Sequence, residues 1–380
     1  MFINKLFKKK KVEKDNQQAN LHKNSPVIII HGAGTTKVGY SGEKFPRFVV
    51  PEQSINLHEE IQQFPLYDSQ ILDLEELHNS WRSIVEKLQI DLLQQPILLS
   101  LPSAKITDNS LIQNIREFFF EELQANRLAI ITDAFLSLIG YLPILKRLTG
   151  LIIDFGFSQI RVVPIHNGSV IEDHIAQASC GGLSLTKQLG KWLKEQGYQG
   201  PLNSLLLREI KENFCFVRPF GKEIVKEEKE SFNYSFQDEE FTLTEERWKL
   251  AELLFYKKFF AEKVLSGPRI ENVGIKVPLS ELTLPRMIGT VIRSLPNSLW
   301  KELFTNICLS GGGANFDGMA KRLEEELQYL YPKQNIRILY GTYPTLKSFL
   351  GASKLTQLPI FQNYWITKKN YYDEYYNLFI

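Results

Sequence analysis

The stretch 151–168, LIIDFGFSQIRVVPIHNG, constrains this chain more than any other. Leu151, Ile152 and Ile153 make an apolar run too short for a helix, and it breaks at Asp154-Phe155-Gly156. A second run rich in β-branched residues extends from Ile160 to Ile165 and closes at Asn167-Gly168. Two strand-like runs around a short glycine-containing turn predict a β-hairpin. An aspartate ends the first, buried-looking strand. Its carboxylate either caps the turn through its own backbone, or faces a cleft and holds a cation or a water.

With 380 residues the chain exceeds one ordinary core, so two domains or one bilobed molecule are expected. Its 43% hydrophobic and 23% charged residues are typical of a globular protein. A net charge of +2 gives no global pull toward nucleic acid or anionic lipid, so neither is expected as a direct partner. Cys180, Cys215 and Cys308 are widely spaced with no CxxC, which indicates neither a zinc site nor a disulfide framework. Each reads as a small buried residue in a reducing compartment. No apolar run approaches the roughly 20 residues that span a bilayer. Residues 1–25 lack the apolar core of a secretory signal and are expected to form a disordered basic tail. The Lys8–Lys11 run in that tail also suits an acidic partner or an import signal.

Several other stretches read clearly. An apolar strand at 27–30 leads into a glycine-rich turn, His31-Gly32-Ala33-Gly34-Thr35-Thr36-Lys37, and a return strand ends near Tyr40. Small residues followed by a lysine make a turn whose backbone N–H groups can surround an oxyanion, although the spacing is not that of a P-loop. Further strands are expected at 47–51, 95–102, 128–131 and 336–340, and a hairpin at 232–243. Helical spacing covers 72–84 with Asp73 as cap, then 109–122, 133–142, 183–195, 205–214, 244–260 and 282–303. Gly181-Gly182 precedes the helix at 183–195, where glycine lets backbone come close to a ligand or another element. Ile307–Leu309 and Ser310 lead into Gly311-Gly312-Gly313 and then a helix. That order fits either a nucleotide at the helix start or tight strand–helix packing. Two hairpins with glycine-containing turns, at 27–42 and 151–168, each begin a run of alternating strands and helices. This is a duplicated α/β plan, expected to leave a cleft between its halves.

With these motifs in hand, the chain resembles the actin-related proteins. The marks are TKVGYSGEKFPR, DFGFSQIRVVPIHNG, GGLSLTKQL, REIKENFCFV, TEERWKLAELLF, LSGGGANFDGMAKRL and GASKLTQLPIFQNYWITKKNYYDE, spread over about 27–374. The resemblance implies an α/β, actin-like ATPase fold with two duplicated lobes around a nucleotide cleft and a shortened outer subdomain. The smaller, outer lobe would take 26–150 plus 345–380, and the larger, inner lobe 151–344. It implies ATP or ADP as ligand. The first phosphate loop would be Gly32, Gly34, Thr35 and Lys37, and the second Asp154 and Gly156. The adenosine side would be Gly182, Arg208, Lys211 and Glu212, with Gly311, Gly312 and Gly313 beneath the nucleotide. Asp154 would be the metal-side residue.

The departures matter as much as the matches. Ile30 stands where actin ends its first strand with an Asp, and Ala33 at a small hydroxyl position. Phe157 replaces the second loop's other Asp, Asp133 the water-positioning Gln, and Arg161 a nearby His. Hydrolysis needs carboxylates to hold a metal through its waters and a water aligned on the terminal phosphate. The expected chain is therefore no enzyme, and the case for Mg2+ is weakened. The segment from Pro51 to Leu72 is too short for actin's outermost subdomain with its protruding loop, as in the pointed-end actin-related proteins of dynactin. The expectation is a structural cap on a short actin-related filament in a dynactin-like complex supporting dynein-based, microtubule-based transport. Its partners would be actin or actin-related proteins and pointed-end dynactin-like subunits, in the cytoplasm and cytoskeleton. The alternatives are a nuclear actin-related subunit of a chromatin-remodelling complex, supported by Lys8–Lys11, and an active ATPase or small-molecule kinase.

Overall fold

The structure is a computed structural model that describes residues 24–51, 66–67, 70–71, 74–102, 109–142, 144–198, 200, 202–221, 231–236, 239–263 and 282–377. In chain order it contains β1 (Val27–His31), β2 (Thr35–Tyr40), β3 (Phe48–Pro51), β4 (Leu66–Tyr67), β5 (Gln70–Ile71), α1 (Leu74–Leu88), β6 (Ile97–Leu101), α2 (Asn109–Glu117), a π-helical turn (Phe118–Glu122), β7 (Arg127–Thr132), α3 (Asp133–Ile139), β8 (Gly150–Phe155), β9 (Ile160–His166), β10 (Ser169–Val170), β11 (Ala176–Ala178), α4 (Gly182–Glu195) and α5 (Ser204–Phe214). It continues with β12 (Phe232–Phe236), β13 (Glu239–Leu243), α6 (Glu246–Glu252), α7 (Lys257–Ala261), α8 (Leu284–Ser294), α9 (Asn297–Thr305), β14 (Ile307–Gly311), α10 (Met319–Leu330), β15 (Ile338–Leu339), α11 (Lys347–Leu355), β16 (Ile366–Thr367) and α12 (Lys368–Asn377). Among the described residues no helix is long and apolar enough to cross a membrane. Asp73, expected as a helix cap, and most of the basic tail lie outside the described residues.

Two compact units result, the first made of 24–51, 66–140 and 348–377, the second of 141–347. The first unit is built on a six-stranded sheet in the order β16-β7-β6-β1-β2-β3. β1 pairs antiparallel with β2 and parallel with β6. Both faces of β1 are covered. Val27 and Ile29 face a cluster with Trp81 of α1 and the Phe118–Phe120 run, while Ile28 and Ile30 face Phe349 and Ala352 of α11. Burial on both faces explains why these strands read as continuous apolar runs rather than alternating ones.

The second unit carries a sheet ordered β10-β9-β8-β14-β15, with β11 added to β9. Its plan repeats that of the first: an antiparallel hairpin, β8–β9, whose first strand pairs parallel with a later strand, β14. The hairpins expected at 27–42, 151–168 and 232–243 are all present. All three cysteines are free and buried.

Two expectations are corrected. The helix expected over 109–122 gives way at Phe118 to the π-helical turn. Three consecutive phenylalanines span too wide an arc for one face of an α-helix, and the wider turn buries Phe118, Phe119 and Phe120 together. Phe118 stacks on His78, 4.0 Å between ring centroids, and Phe120 on Tyr371 at 4.9 Å. The single helix expected over 244–260 is two, α6 and α7. The chain turns between them because the Leu254 carbonyl accepts from the Leu284 N–H at 3.0 Å instead of continuing the helix. Leu254 and Phe260 are both thereby buried in the core.

The small residues expected on one helical face at 345–358 have a concrete reason. A Cβ on Gly351 would lie 1.7 Å from the Leu136 carbonyl oxygen and 3.0 Å from the Gly140 nitrogen. Both obstacles are backbone, so α11 packs against α3 only with glycine there. Gly351→Ala should lower stability by about 1–3 kcal/mol, the usual scale of overpacking. Chemical denaturation checks this, and an unchanged midpoint would refute it.

Candidate functional site

The carboxylate that ends β8 does not stand alone. Asp154 and Arg161 are cross-strand partners in the β8–β9 ladder. Arg161 Nη2 donates to Asp154 Oδ2 at 2.5 Å, with the side chains 5% and 17% exposed respectively. Gly156 follows in the turn; a Cβ there would come within 3.8 Å of the same Asp154 oxygen and 2.9 Å of the Gln159 carbonyl oxygen.

The turn rests on the start of α4. Gly181 N donates to Ser158 O at 3.2 Å, Gly182 N to Gly156 O at 3.0 Å, and Leu183 N to Phe157 O at 2.8 Å. The first N–H groups of a helix have no partners inside it, and here carbonyls of the hairpin turn supply them. The contact is so close that a Cβ on Gly181 would lie 2.4 Å from the Gln159 nitrogen.

Lys211 of α5 reaches the same place. Its Nζ donates to the Gly182 carbonyl at 2.8 Å and to Thr186 Oγ1 at 2.8 Å. Thr186 in turn donates to Gly182 O at 2.8 Å. Burial pushes the Lys211 ammonium down from 10.5 to about 8, against the favourable charge of Glu212. Arg208 and Glu212, one turn apart on α5, bond to each other at 2.7 Å and are about half exposed.

The three glycines after β14 divide by task. Gly311 is at φ +88°, and a Cβ there would meet the Phe155 carbonyl oxygen at 2.2 Å. A Cβ on Gly313 would touch the Phe155 ring at 3.1 Å. At Gly312 nothing lies within 4 Å of a Cβ, so this residue presents open backbone.

Asp154, Gly156, Gly182, Lys211, Gly311, Gly312 and Gly313 thus belong to one neighbourhood of the second unit, with Arg208 and Glu212 on the same helix as Lys211. Gly32, Gly34, Thr35 and Lys37 belong to the first unit. There Lys37 Nζ donates to Thr35 Oγ1 at 3.2 Å. Beside them, the buried His31 shares a hydrogen bond between Nδ1 and Thr36 Oγ1 at 2.7 Å. Burial holds that imidazole neutral, pushed down to about 3.

Three contributors were not among the expected site residues. Gly181 makes the close approach, Thr186 receives Lys211, and Arg161 neutralises Asp154. Thr186 sits one helical turn after Gly182, and position 161 faces 154 once the hairpin turn is placed; both are readable signals. Gly181 was visible as one of a glycine pair.

Toward a magnesium ion these residues do not fit. Asp154 is already compensated by a guanidinium, and Phe157, three residues on, brings no carboxylate. Among the described residues no group of three or more His, Cys, Asp or Glu is gathered to hold a metal. Toward a nucleotide they fit in part, through the open backbone at Gly312 and the half-exposed Arg208–Glu212 pair.

A family model described as Actin matches residues 52–378 of this chain. Proteins of that family commonly bind ATP or ADP.

Lys211 gives a measurable consequence. Between pH about 8 and 10.5 the unfolded chain holds a proton that the folded chain has released. This group's contribution to stability therefore rises with pH across that window. Melting midpoints of the wild type and Lys211→Met should diverge in the wild type's favour from pH 8 to 10. A difference independent of pH would refute the assignment.

Proposed function

Since this chain belongs to the actin family, we propose that it is a structural actin-related protein that closes the pointed end of a short actin-related filament. The setting of this reading is a dynactin-like complex supporting dynein-based transport in the cytoplasm. One observation carries it: only residues 52–73 connect β3 to α1. In actin this part of the chain holds the outermost subdomain, whose protruding loop packs under the neighbouring subunit. A subunit without that loop can join one filament end and offers nothing for further growth. Its partners on one face are actin or actin-related subunits, and on the other the pointed-end subunits of the complex.

The same reading makes the chain a non-hydrolysing member of the family. Its support is chemical. Ile30 and Phe157 stand where the family carries acidic residues, Asp133 where it carries the water-positioning glutamine, and the remaining carboxylate is ion-paired. Of the carboxylates that would hold such a metal, Asp154 alone stands at a family position, and it is engaged by Arg161. Binding of ATP or ADP without turnover is the role left to the glycine loops, Lys37, Lys211, Arg208 and Glu212.

Two measurements test this. Affinity purification of the native complex should recover other actin-related proteins and dynein-adaptor components. Recovery of chromatin-remodelling subunits alone would replace the reading with a nuclear one. Purified protein incubated with ATP should release phosphate no faster than a buffer blank, while chromatography of released nucleotide reports what is carried. Phosphate release that Asp154→Asn abolishes would overturn the non-hydrolysing assignment.

A further inference from the structure

We propose that Arg161 is the resident cation of the second unit's loop, standing in for the divalent metal at Asp154, so that this loop is metal-independent. The inference rests on reading 154–158 as the family's second phosphate loop, and it concerns what that loop accepts rather than what the chain caps.

The argument begins with register. Asp154 and Arg161 face each other across the β8–β9 ladder, so the pair is set by the hairpin's backbone and not by a chance meeting of long side chains. β14 flanks β8 and β11 flanks β9, with Gln177 opposite Arg161. Both residues therefore sit on interior strands of the sheet, and the Arg161 side chain, 5% exposed, bonds at 2.5 Å to a carboxylate that is 17% exposed. Screening by water is small at such burial, and the pair's attraction is correspondingly strong.

Exchange with a metal ion is blocked by the chemistry of arginine. An imidazole at this position, as the family resemblance implies elsewhere, can stay neutral and leave the carboxylate free for a cation. A guanidinium does not give up its proton in a protein. A cation arriving at Asp154 would have to displace Arg161 and leave it charged, buried and without its carboxylate. It would also meet Phe157 where a second carboxylate would have to be. Burying one partner's charge after removing the other is the unfavourable half of every buried ion pair. The cation is thus covalently supplied, at a fixed site, and needs no free-ion concentration.

The test uses the purified full-length chain with Mn2+ as the probe, followed by electron paramagnetic resonance. Wild type and Asp154→Asn should give the same Mn2+ titration, because the carboxylate is not offered to the ion. Arg161→His should bind Mn2+ at least about tenfold more tightly than wild type. The Asp154→Asn/Arg161→His double variant should lose that gain. In parallel, the wild-type melting midpoint should be the same in MgCl2 and in EDTA, with and without ATP. The proposal is overturned by saturable Mn2+ binding in the wild type that Asp154→Asn removes, or by a Mg2+-dependent shift of its melting midpoint that Asp154→Asn removes. These readouts use the wild type and a near-isosteric variant, so they decide the matter even if Arg161→His does not fold. They are also separate from capping. A chain that assembles with other actin-related subunits yet binds Mn2+ through Asp154 removes this inference and leaves the capping reading in place. The reverse pattern does the opposite.

Discussion

The second unit depends on a backbone-to-backbone contact: the turn between β8 and β9 lies on the first residues of α4. Three successive N–H groups, of Gly181, Gly182 and Leu183, are satisfied by three carbonyls of that turn. A helix start of this kind ordinarily offers its N–H groups to an anion or to water. Here they hold protein, which ties the hairpin, the helix and the adjoining sheet into one piece. Lys211 extends the tie to α5 by bonding the Gly182 carbonyl, so Arg208 and Glu212 on the same helix are positioned by the same junction. Gly181 is the residue without which the junction cannot close, because every substituent on its α-carbon would fall on the turn's backbone.

Charge is distributed on the same principle of internal satisfaction. Asp154 meets Arg161 and Arg208 meets Glu212. Lys211 is held by a carbonyl and a hydroxyl and has its charge weakened by burial. A buried ammonium held only by neutral acceptors keeps its proton less firmly than one beside a carboxylate. Deeper in the same unit, Arg322 of α10 bonds Glu252 and Glu326 while its guanidinium packs over the Phe255 ring. That network shows the same habit away from the glycine loops: Arg322 meets one carboxylate from its own helix and one from the end of α6.

How much of this was legible in the residues depends on how local the physics is. The hairpins were readable because a strand–turn–strand signature is contained within about 20 residues. The α/β plan followed from their repetition. The π-helical turn at Phe118 was not readable, because helical periodicity says where apolar side chains recur and not how three adjacent ones share a core. The break between α6 and α7 was equally hidden: apolar spacing stays helical through the region, and the interruption comes from Leu284, thirty residues along the chain. At the site, Asp154 drew attention as an aspartate ending a buried strand. Arg161 was seen only as a replaced position, although hairpin register places it directly opposite. The significance of Gly181 could not be read locally, since the atoms that exclude a side chain belong to 157–159.

The glycines sharpen what the family's hallmark loops mean in this chain. Retained glycines are easily taken as a trace of a bound phosphate, but most of them here have a packing obligation that no ligand is needed to explain. Gly311 requires its left-handed backbone and its approach to Phe155, Gly313 touches the same ring, and Gly181 and Gly156 serve the turn. Removing the nucleotide from such a site would leave every one of these constraints in force. Gly312 is different: its α-carbon faces open space and could carry a side chain without collision inside the protein. Architecture thus accounts for the glycines whose Cβ position is occupied by protein, while Gly312 and the half-exposed Arg208–Glu212 pair carry no such packing obligation. A loop can therefore keep the outline of a nucleotide site for reasons of packing, because the outline is also what holds the unit together.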